Sequence, residues 1–156
     1  IVQYMRNKHN LLIGEPTAEK VKVQIGSAYP LPQEQTTVVK GRNLTTGLPD
    51  SIEVSSIEIR EAISGSINII IDTVKDALDD TPPELVADLM ESGITIAGGA
   101  GQIRGLDERI KEEVNIRSWV ADDPMTCVAR GAGRVLEDYN NLRQLLTGPE
   151  RGSTRH

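Results

Sequence analysis

The sequence predicts an α/β fold in which a β-α-β unit carries an inserted α+β lobe, and three observations predict it. Strand and helix patterns alternate in the last third of the chain, from Ile94 to Leu136, the signature of a parallel pair joined by a helix. Ahead of them, two stretches rich in β-branched residues, 36–40 and 51–54, flank a turn-forming run, as in a hairpin. Within the last third, the run Gly98-Gly99-Ala100-Gly101 follows the β-branched segment 94–97 and precedes apolar residues at helical spacing.

Composition narrows the function classes. Apolar residues make up 38% of the chain but aromatics only 3%, with no Phe, so the core must be built from Ile, Val, Leu and Ala. A net charge of −6 and a pI near 5.0 oppose binding to a phosphate backbone, which selects clustered positive charge, so nucleic acid is not an expected partner. One cysteine, Cys127, rules out an internal disulfide and a cysteine-based zinc site and suits a reducing, cytoplasmic compartment. No apolar run reaches the roughly 20 residues that span a bilayer, and the N-terminus has no secretory pattern.

Taken in order, Val2, Tyr4 and Met5 stand at helical spacing, so residues 1–9 read as the end of an amphipathic helix in a chain fragment that starts inside it. Residues 11–14 read as a short apolar connection. Glu15-Pro16-Thr17 opens a second helix, because proline is tolerated in the first turn; Val21 and Ile25 share its apolar face, Glu19, Lys20 and Lys22 lie off it, and Gly26 ends it. Past Tyr29-Pro30-Leu31-Pro32 comes the hairpin, with its turn between Asn43 and Pro49. Ser55-Ser56-Ile57-Glu58 is a capping box for a helix continuing through Ile59, Ala62 and Ile63.

Ser66 is placed to cap a further helix, whose Ile67, Ile70, Ile71, Val74 and Leu78 form a wide apolar stripe. Asp80-Thr81-Pro82-Pro83 stops that helix and starts another, with Leu85, Val86 and Leu89 as its buried side. Residues 94–97 then form a buried strand, Leu106, Ile110 and Val114 one face of a helix, and residues 116–121 a second strand anchored by Trp119. Asp122-Asp123-Pro124 begins a long helix in which Val128, Ala132, Val135 and Leu136 point inward. Gly131 and Gly133 would each weaken that helix by about 1 kcal/mol relative to alanine, so close packing against a neighbour is expected there. Leu142, Leu145 and Leu146 extend the helical pattern, and residues 148–156 form a polar, glycine-containing tail.

Candidate chemistry concentrates in few places. Glycine in a strand-to-helix turn permits positive φ and close approach of a ligand, and the helix start offers unpaired N–H groups; the same glycines also suit a helix that only folds back on its sheet. Both histidines, His9 and His156, stand near the chain ends without metal-ligand spacing, which argues against hydrolytic triads. Asp122 and Asp123 read as helix caps before a proline, with Mg²⁺ binding the alternative, and Cys127 as buried filler, with an activated thiol the alternative. Glu19, Lys20 and Lys22 alone make a solvated helix face. Opposite the glycine turn, however, a carboxylate can accept both hydroxyls of a ribose while an ammonium and its stem cover an adenine ring.

Several motifs in one order then carry a resemblance. Gly14-Glu15-Pro16-Thr17-Ala18-Glu19-Lys20-Val21-Lys22, Ile25-Gly26-Ser27-Ala28-Tyr29-Pro30, Lys40-Gly41-Arg42-Asn43-Leu44, Thr81-Pro82-Pro83-Glu84-Leu85, Gly98-Gly99-Ala100-Gly101 with Arg104-Gly105-Leu106-Asp107, and Asp122-Asp123-Pro124-Met125-Thr126-Cys127-Val128-Ala129-Arg130-Gly131 resemble the C-terminal half of the MreB family. These are the bacterial rod-shape-determining actin homologues. The resemblance implies an actin-like (ribonuclease H-like) ATPase-fold half: residues 1–28 and 84–156 as subdomain IIA, and residues 29–83 as the inserted α+β subdomain IIB. It implies adenosine-contacting residues Glu19, Lys20, Val21 and Lys22 on one side and Gly98, Gly99, Ala100, Gly101 and Gln102 on the other.

The implied cofactor is ATP, with Mg²⁺ in the full-length protein, and the implied assembly is a homopolymeric filament at the inner face of the cell membrane that works with membrane and cell-wall-synthesis proteins. The family's phosphate-gripping hairpins and Mg²⁺-associated aspartates precede the matched part, so no catalytic residue and no ATP hydrolysis are expected of this piece alone. The family's usual three glycines followed by alanine are here Gly98-Gly99-Ala100-Gly101, which places the methyl of Ala100 where it would crowd a backbone of positive φ. Two other readings remain: half of an Hsp70-like ATPase, and a nucleotide-independent protein-interaction module.

Overall fold

A computed structural model describes residues 1–143; Leu145, Leu146 and the tail 148–156 lie outside the described residues. Helix α1 (Val2–His9) closes at Asn10 with φ 51°, a left-handed conformation that asparagine tolerates better than most residues. That turn delivers β1 (Leu11–Leu12), which pairs antiparallel with β2 (Thr36–Asn43) at Leu11↔Asn43 and Leu12↔Arg42. The sequence led us to expect only a connection here. Two residues are too few to display the alternation of a strand, and their pairing depends on a distant partner.

Helix α2 (Glu15–Ile25) buries Val21 and Ile25, as their spacing predicts, and Ala18 beside them. β2 and β3 (Pro49–Ser55) form the expected hairpin, in register from Thr36↔Ser55 to Arg42↔Pro49, and the sheet order is β1-β2-β3. Its turn is held by Asn43, whose side-chain oxygen accepts the N–H groups of Thr45 and Thr46 at 2.9 and 3.1 Å.

The capping box forms as read: the Ser55 hydroxyl accepts the Glu58 N–H, and the Glu58 carboxylate accepts the Ser55 N–H at 2.8 Å. The second helix start expected at Ser66 does not occur, and one helix, α3 (Ser56–Asp79), runs through it. Ile59, Ile63, Ile67 and Ile71 recur every fourth residue and are all buried, so a break between them would uncover that stripe. Gly65 lies on the opposite, exposed face.

Beyond it come α4 (Pro83–Ser92), β4 (Ile94–Ile96), α5 (Leu106–Val114) and β5 (Ser118–Val120). β4 and β5 pair parallel with α5 between them, the predicted β-α-β unit. β4 is less buried than expected: Ile94 and Ile96 are half-buried and Thr95 is exposed, because its only pairing partner among the described residues is β5. The expected buried side of α4 is also incomplete, with Leu85 exposed and Val86 and Leu89 half-buried.

Helix α6 (Cys127–Glu137) departs further, with no buried residue and Val128 and Leu136 at 73% and 76% exposure. A Cβ at Gly131 or Gly133 would meet nothing within 4 Å, so the neighbour expected to pack there is absent among the described residues. Among the described residues past Glu137, the helical pattern continues as the short α7 (Tyr139–Leu142).

Two apolar clusters divide the described residues. Met5, Leu11, Ile13, Ala18, Val21, Ile25, Val39, Val54 and Ile59 form the first; Ala28, Ile63, Ile67, Ile71, Leu106 and Ile110 form the second. Met5 to Ile25 thus lie in the cluster that holds the hairpin, and Leu106 and Ile110 in the other. The buried face of α2 needs an apolar surface to cover it, and Val39 and Val54 of the hairpin provide one, so α1, β1 and α2 join the hairpin. Helix α3 belongs to both clusters and links them. A second link is a parallel bridge between Ser27 and Arg104, where the Ala28 N–H donates to the Arg104 carbonyl at 2.8 Å.

Candidate functional site

The glycine run follows β4 as a sharp bend. Gly98 has φ 84°, accessible to glycine without penalty, and its N–H donates to the Pro124 carbonyl at 2.7 Å. Gly101 is buried, and a Cβ there would lie 2.9 Å from Cγ2 of Ile96. A Cβ on Gly99 would lie 3.2 Å from Sδ of Met125. Ala100 opens a short 3₁₀ turn, Ala100–Gln102, and is not among the residues of positive φ. The crowding expected from its methyl therefore does not arise, because the left-handed bend falls at Gly98. Helix α5 does not start at the glycines either: the 3₁₀ turn intervenes, and Gly105, φ 71°, leads into Leu106.

Across from this turn stands α2. Glu19, Lys22, Val23 and Gly26 recur at the spacing of one helix face, and with Ala18, Val21 and Ile25 buried the helix turns that face outward. Between α2 and the turn lies a cavity of about 580 Å³, lined by those four residues and by Gly99, Ala100, Gln102, Ile103, Arg104 and Met125. Lys22 Nζ sits 2.6 Å from Glu19 Oε2. In so exposed a place the pair contributes about 0–1 kcal/mol to stability, so its charges remain available to a ligand. One wall of the cavity is thus ionic at Glu19 and Lys22 and apolar at Val23; the other is main chain and small residues edged by Ile103 and Met125.

Of the nine residues singled out in the sequence, the fold brings Glu19, Lys22, Gly99, Ala100 and Gln102 onto this cavity. Lys20 instead lines a separate surface hollow with Gln24, Thr37 and Lys40, and Val21 is buried in the first core. Gly98 and Gly101 shape the turn from behind. Five lining residues were missed. Val23 and Gly26 follow from Glu19 by helical spacing and were legible; Ile103 and Arg104 had only their nearness to the glycines. Met125 had no local signal, since it reaches the cavity from another loop, held there by the Gly98-to-Pro124 hydrogen bond.

Asp123, Cys127 and His9 have structural partners, and His156 lies outside the described residues. Asp123 has φ 50° and caps α6 with its main-chain carbonyl, which accepts the Thr126 and Cys127 N–H groups at 3.0 Å each. Its carboxylate takes the Thr126 hydroxyl instead of a helix N–H, unlike the side-chain cap expected. Cys127 is half-buried, with Sγ 3.5 Å from the Pro124 carbonyl. His9 Nε2 lies 2.9 Å from Glu58 Oε1, and the Glu58 carboxyl is held below its usual range mainly by the Ser55 N–H. Among the described residues no His, Cys, Asp and Glu cluster has the makings of a metal site, and no helix is long and apolar enough to cross a membrane. What the cavity offers chemically is recognition: an acceptor, a cation, apolar surface and an exposed main-chain bend.

Comparison with known proteins gives consistent results. The sequence model of the MreB/Mbl protein family matches residues 1–144. The chain is 44% identical over 137 residues to the cell shape-determining protein MreB of Escherichia coli (strain K12), covering 88% of this chain and 40% of that protein. It is 38% identical over 142 residues to the cell shape-determining protein Mbl of Bacillus subtilis (strain 168), covering 91% and 43%. The crystal structure of MreB5 of Spiroplasma citri bound to ADP superimposes with a TM-score of 0.86 at 34% identity, over 95% of this chain and 44% of that one. The chain therefore spans about two fifths of the length of the curated relatives it matches.

Proposed function

The chain belongs to the MreB/Mbl family and has an actin-like α/β fold, and from that premise we propose that it is the adenosine-binding portion of an ATP-binding cytoskeletal protein that polymerises and determines rod cell shape. The observation that carries this reading is the cavity between α2 and the glycine turn. Its volume falls in the range of small-molecule sites, roughly 300–1,000 Å³. The residues present fit a nucleoside. The Glu19 carboxylate can accept two vicinal ribose hydroxyls, the Lys22 stem and Val23 offer apolar cover for a base, and the bend at Gly99 and Ala100 allows close approach. That MreB5 of Spiroplasma citri is bound to ADP supports an adenine nucleotide as the ligand class.

Bound ATP, with its Mg²⁺, supplies the energy of an assembly switch in this reading, while the residues of this chain hold and orient the nucleoside. Phosphoryl transfer needs metal and phosphate clamps, which the resemblance assigns to other parts of the fold, so the residues lining this cavity serve nucleoside recognition rather than bond cleavage. Polymerisation requires a contact between unlike faces that does not close into a ring. Assembly of such filaments in the cytoplasm, at the inner face of the cell membrane, and coordination with cell-wall-synthesis proteins complete the proposal.

Amide shift mapping of the isotope-labelled chain with ADP tests the ligand assignment. Signals of residues 19–26, 98–104 and 125 should move together, with an affinity of about 1 mM, or ~4 kcal/mol. Shifts scattered over other faces, or none at tens of times that concentration, would overturn it.

A further inference from the structure

We propose that Arg104 is the positioning residue of this cavity: its guanidinium holds α2 at a set distance from the glycine turn and thereby controls affinity for a nucleoside. The inference rests on the nucleotide reading for its ligand, although the strut itself is a property of the fold. The two walls belong to different cores. α2 is seated in the first through Ala18, Val21 and Ile25, whereas the glycine turn is attached to the second through Ile96 and Ile103. Helix α3 joins the two cores at a distance, and at the cavity itself the walls are tied by polar links across it.

Arg104 is rooted on one wall and reaches the other. Its carbonyl accepts the Ala28 N–H at 2.8 Å. The adjacent Gly105 passes so near Tyr29 that a Cβ there would lie 2.6 Å from the tyrosine Cβ, which fixes the root. From this point Nη2 donates to the Gln24 carbonyl at 3.0 Å and Nη1 to Gln35 Oε1 at 2.9 Å. The Gln24 carbonyl lies in the last turn of α2, where carbonyls lack helical partners and a cation is favoured.

Gln35 is anchored in turn. Its N–H donates to Ser56 Oγ at 2.9 Å and its carbonyl accepts the Ser56 N–H at 2.8 Å, and Ser56 is fully buried at the start of α3. A planar fork can serve both acceptors at once, which a lysine ammonium on its flexible stem cannot do in fixed geometry.

The test is ADP affinity by amide shifts together with melting temperature, for Arg104→Ala, Arg104→Lys and Gln35→Ala. Losing both links should weaken ADP about tenfold and losing the Gln35 link about threefold, in keeping with charge-assisted hydrogen bonds; Arg104→Lys should fall between wild type and Arg104→Ala. Gln35 does not line the cavity, so unchanged affinity in Gln35→Ala would overturn the proposal even if Arg104→Ala binds poorly. A fall in melting temperature with affinity intact would overturn it too.

A spin label on Lys20→Cys, in a Cys127→Ser background, reads the gap without ligand by relaxation of the amides of residues 99–102. That gap should widen or broaden in both Arg104→Ala and Gln35→Ala. An unchanged gap refutes the strut, whereas a changed gap with no ADP binding to wild type supports the strut and refutes the nucleotide reading alone.

Discussion

Replacing Gly65 by alanine tests the continuity of α3, on which the relation between the two cores depends. Glycine inside a helix costs about 0.8–1.0 kcal/mol relative to alanine. At Gly65 a Cβ would meet nothing within 4 Å, so no overpacking offsets the gain. The whole difference should therefore appear as added stability of about 1 kcal/mol, part of it through the reduced freedom of the unfolded chain. In a chain of this length that corresponds to a rise in Tm of about 2–4 °C. Ser66→Ala sharpens the test. An interior serine replaced by alanine gains about 0.5 kcal/mol, whereas loss of a capping serine costs about 1 kcal/mol. Urea and thermal unfolding of both variants, followed by far-ultraviolet circular dichroism, measure these signs. Destabilisation by both would refute the single helix and restore a break at Gly65-Ser66.

Gly105→Ala should destabilise by roughly 2–5 kcal/mol, combining the left-handed φ of 71°, about 1–2 kcal/mol for a residue with a Cβ, with the clash against the Tyr29 Cβ, about 1–3 kcal/mol; the urea midpoint reports it. Stability should also fall on acidification. The Glu58 carboxyl is held below its ordinary value chiefly by the Ser55 N–H, Glu34 by the Ser56 hydroxyl and Glu113 by Lys75. A carboxyl whose folded pKa lies below its unfolded one contributes stability above the unfolded value and loses it as pH falls through the folded one. Glu58→Gln should therefore flatten the acid limb of the stability–pH curve, and an identical limb would contradict the capping geometry.

Much of the fold was legible because its signals are local. The Ser55–Glu58 box, the Pro16 start of α2, the turn at Asn43 and the spacing of Leu106 and Ile110 each depend on neighbours within a few residues, and each element formed as read. The candidate site was legible on the α2 side from helical spacing and on the glycine side from composition. Its membership was not fully so. Lys20 and Lys22 are equivalent in charge, and only the burial of Val21 and Ile25 decides that Lys22 turns toward the cavity while Lys20 turns toward β2.

The chain's own pattern was sufficient for what nearest neighbours decide: the helix starts at Pro16 and Ser55, the hairpin, the parallel pair and the small-residue bend at Gly98. Tertiary packing decided the rest, namely that β1 is a strand, that α1 and α2 share a core with the hairpin, that α3 runs unbroken, and that Met125 and Arg104 meet α2 across one gap. The reason is physical. Local choices are made by capping, propensity and φ at each residue, but which apolar stripe covers which is settled only when distant segments compete for the same buried surface, and no spacing along the chain records that outcome.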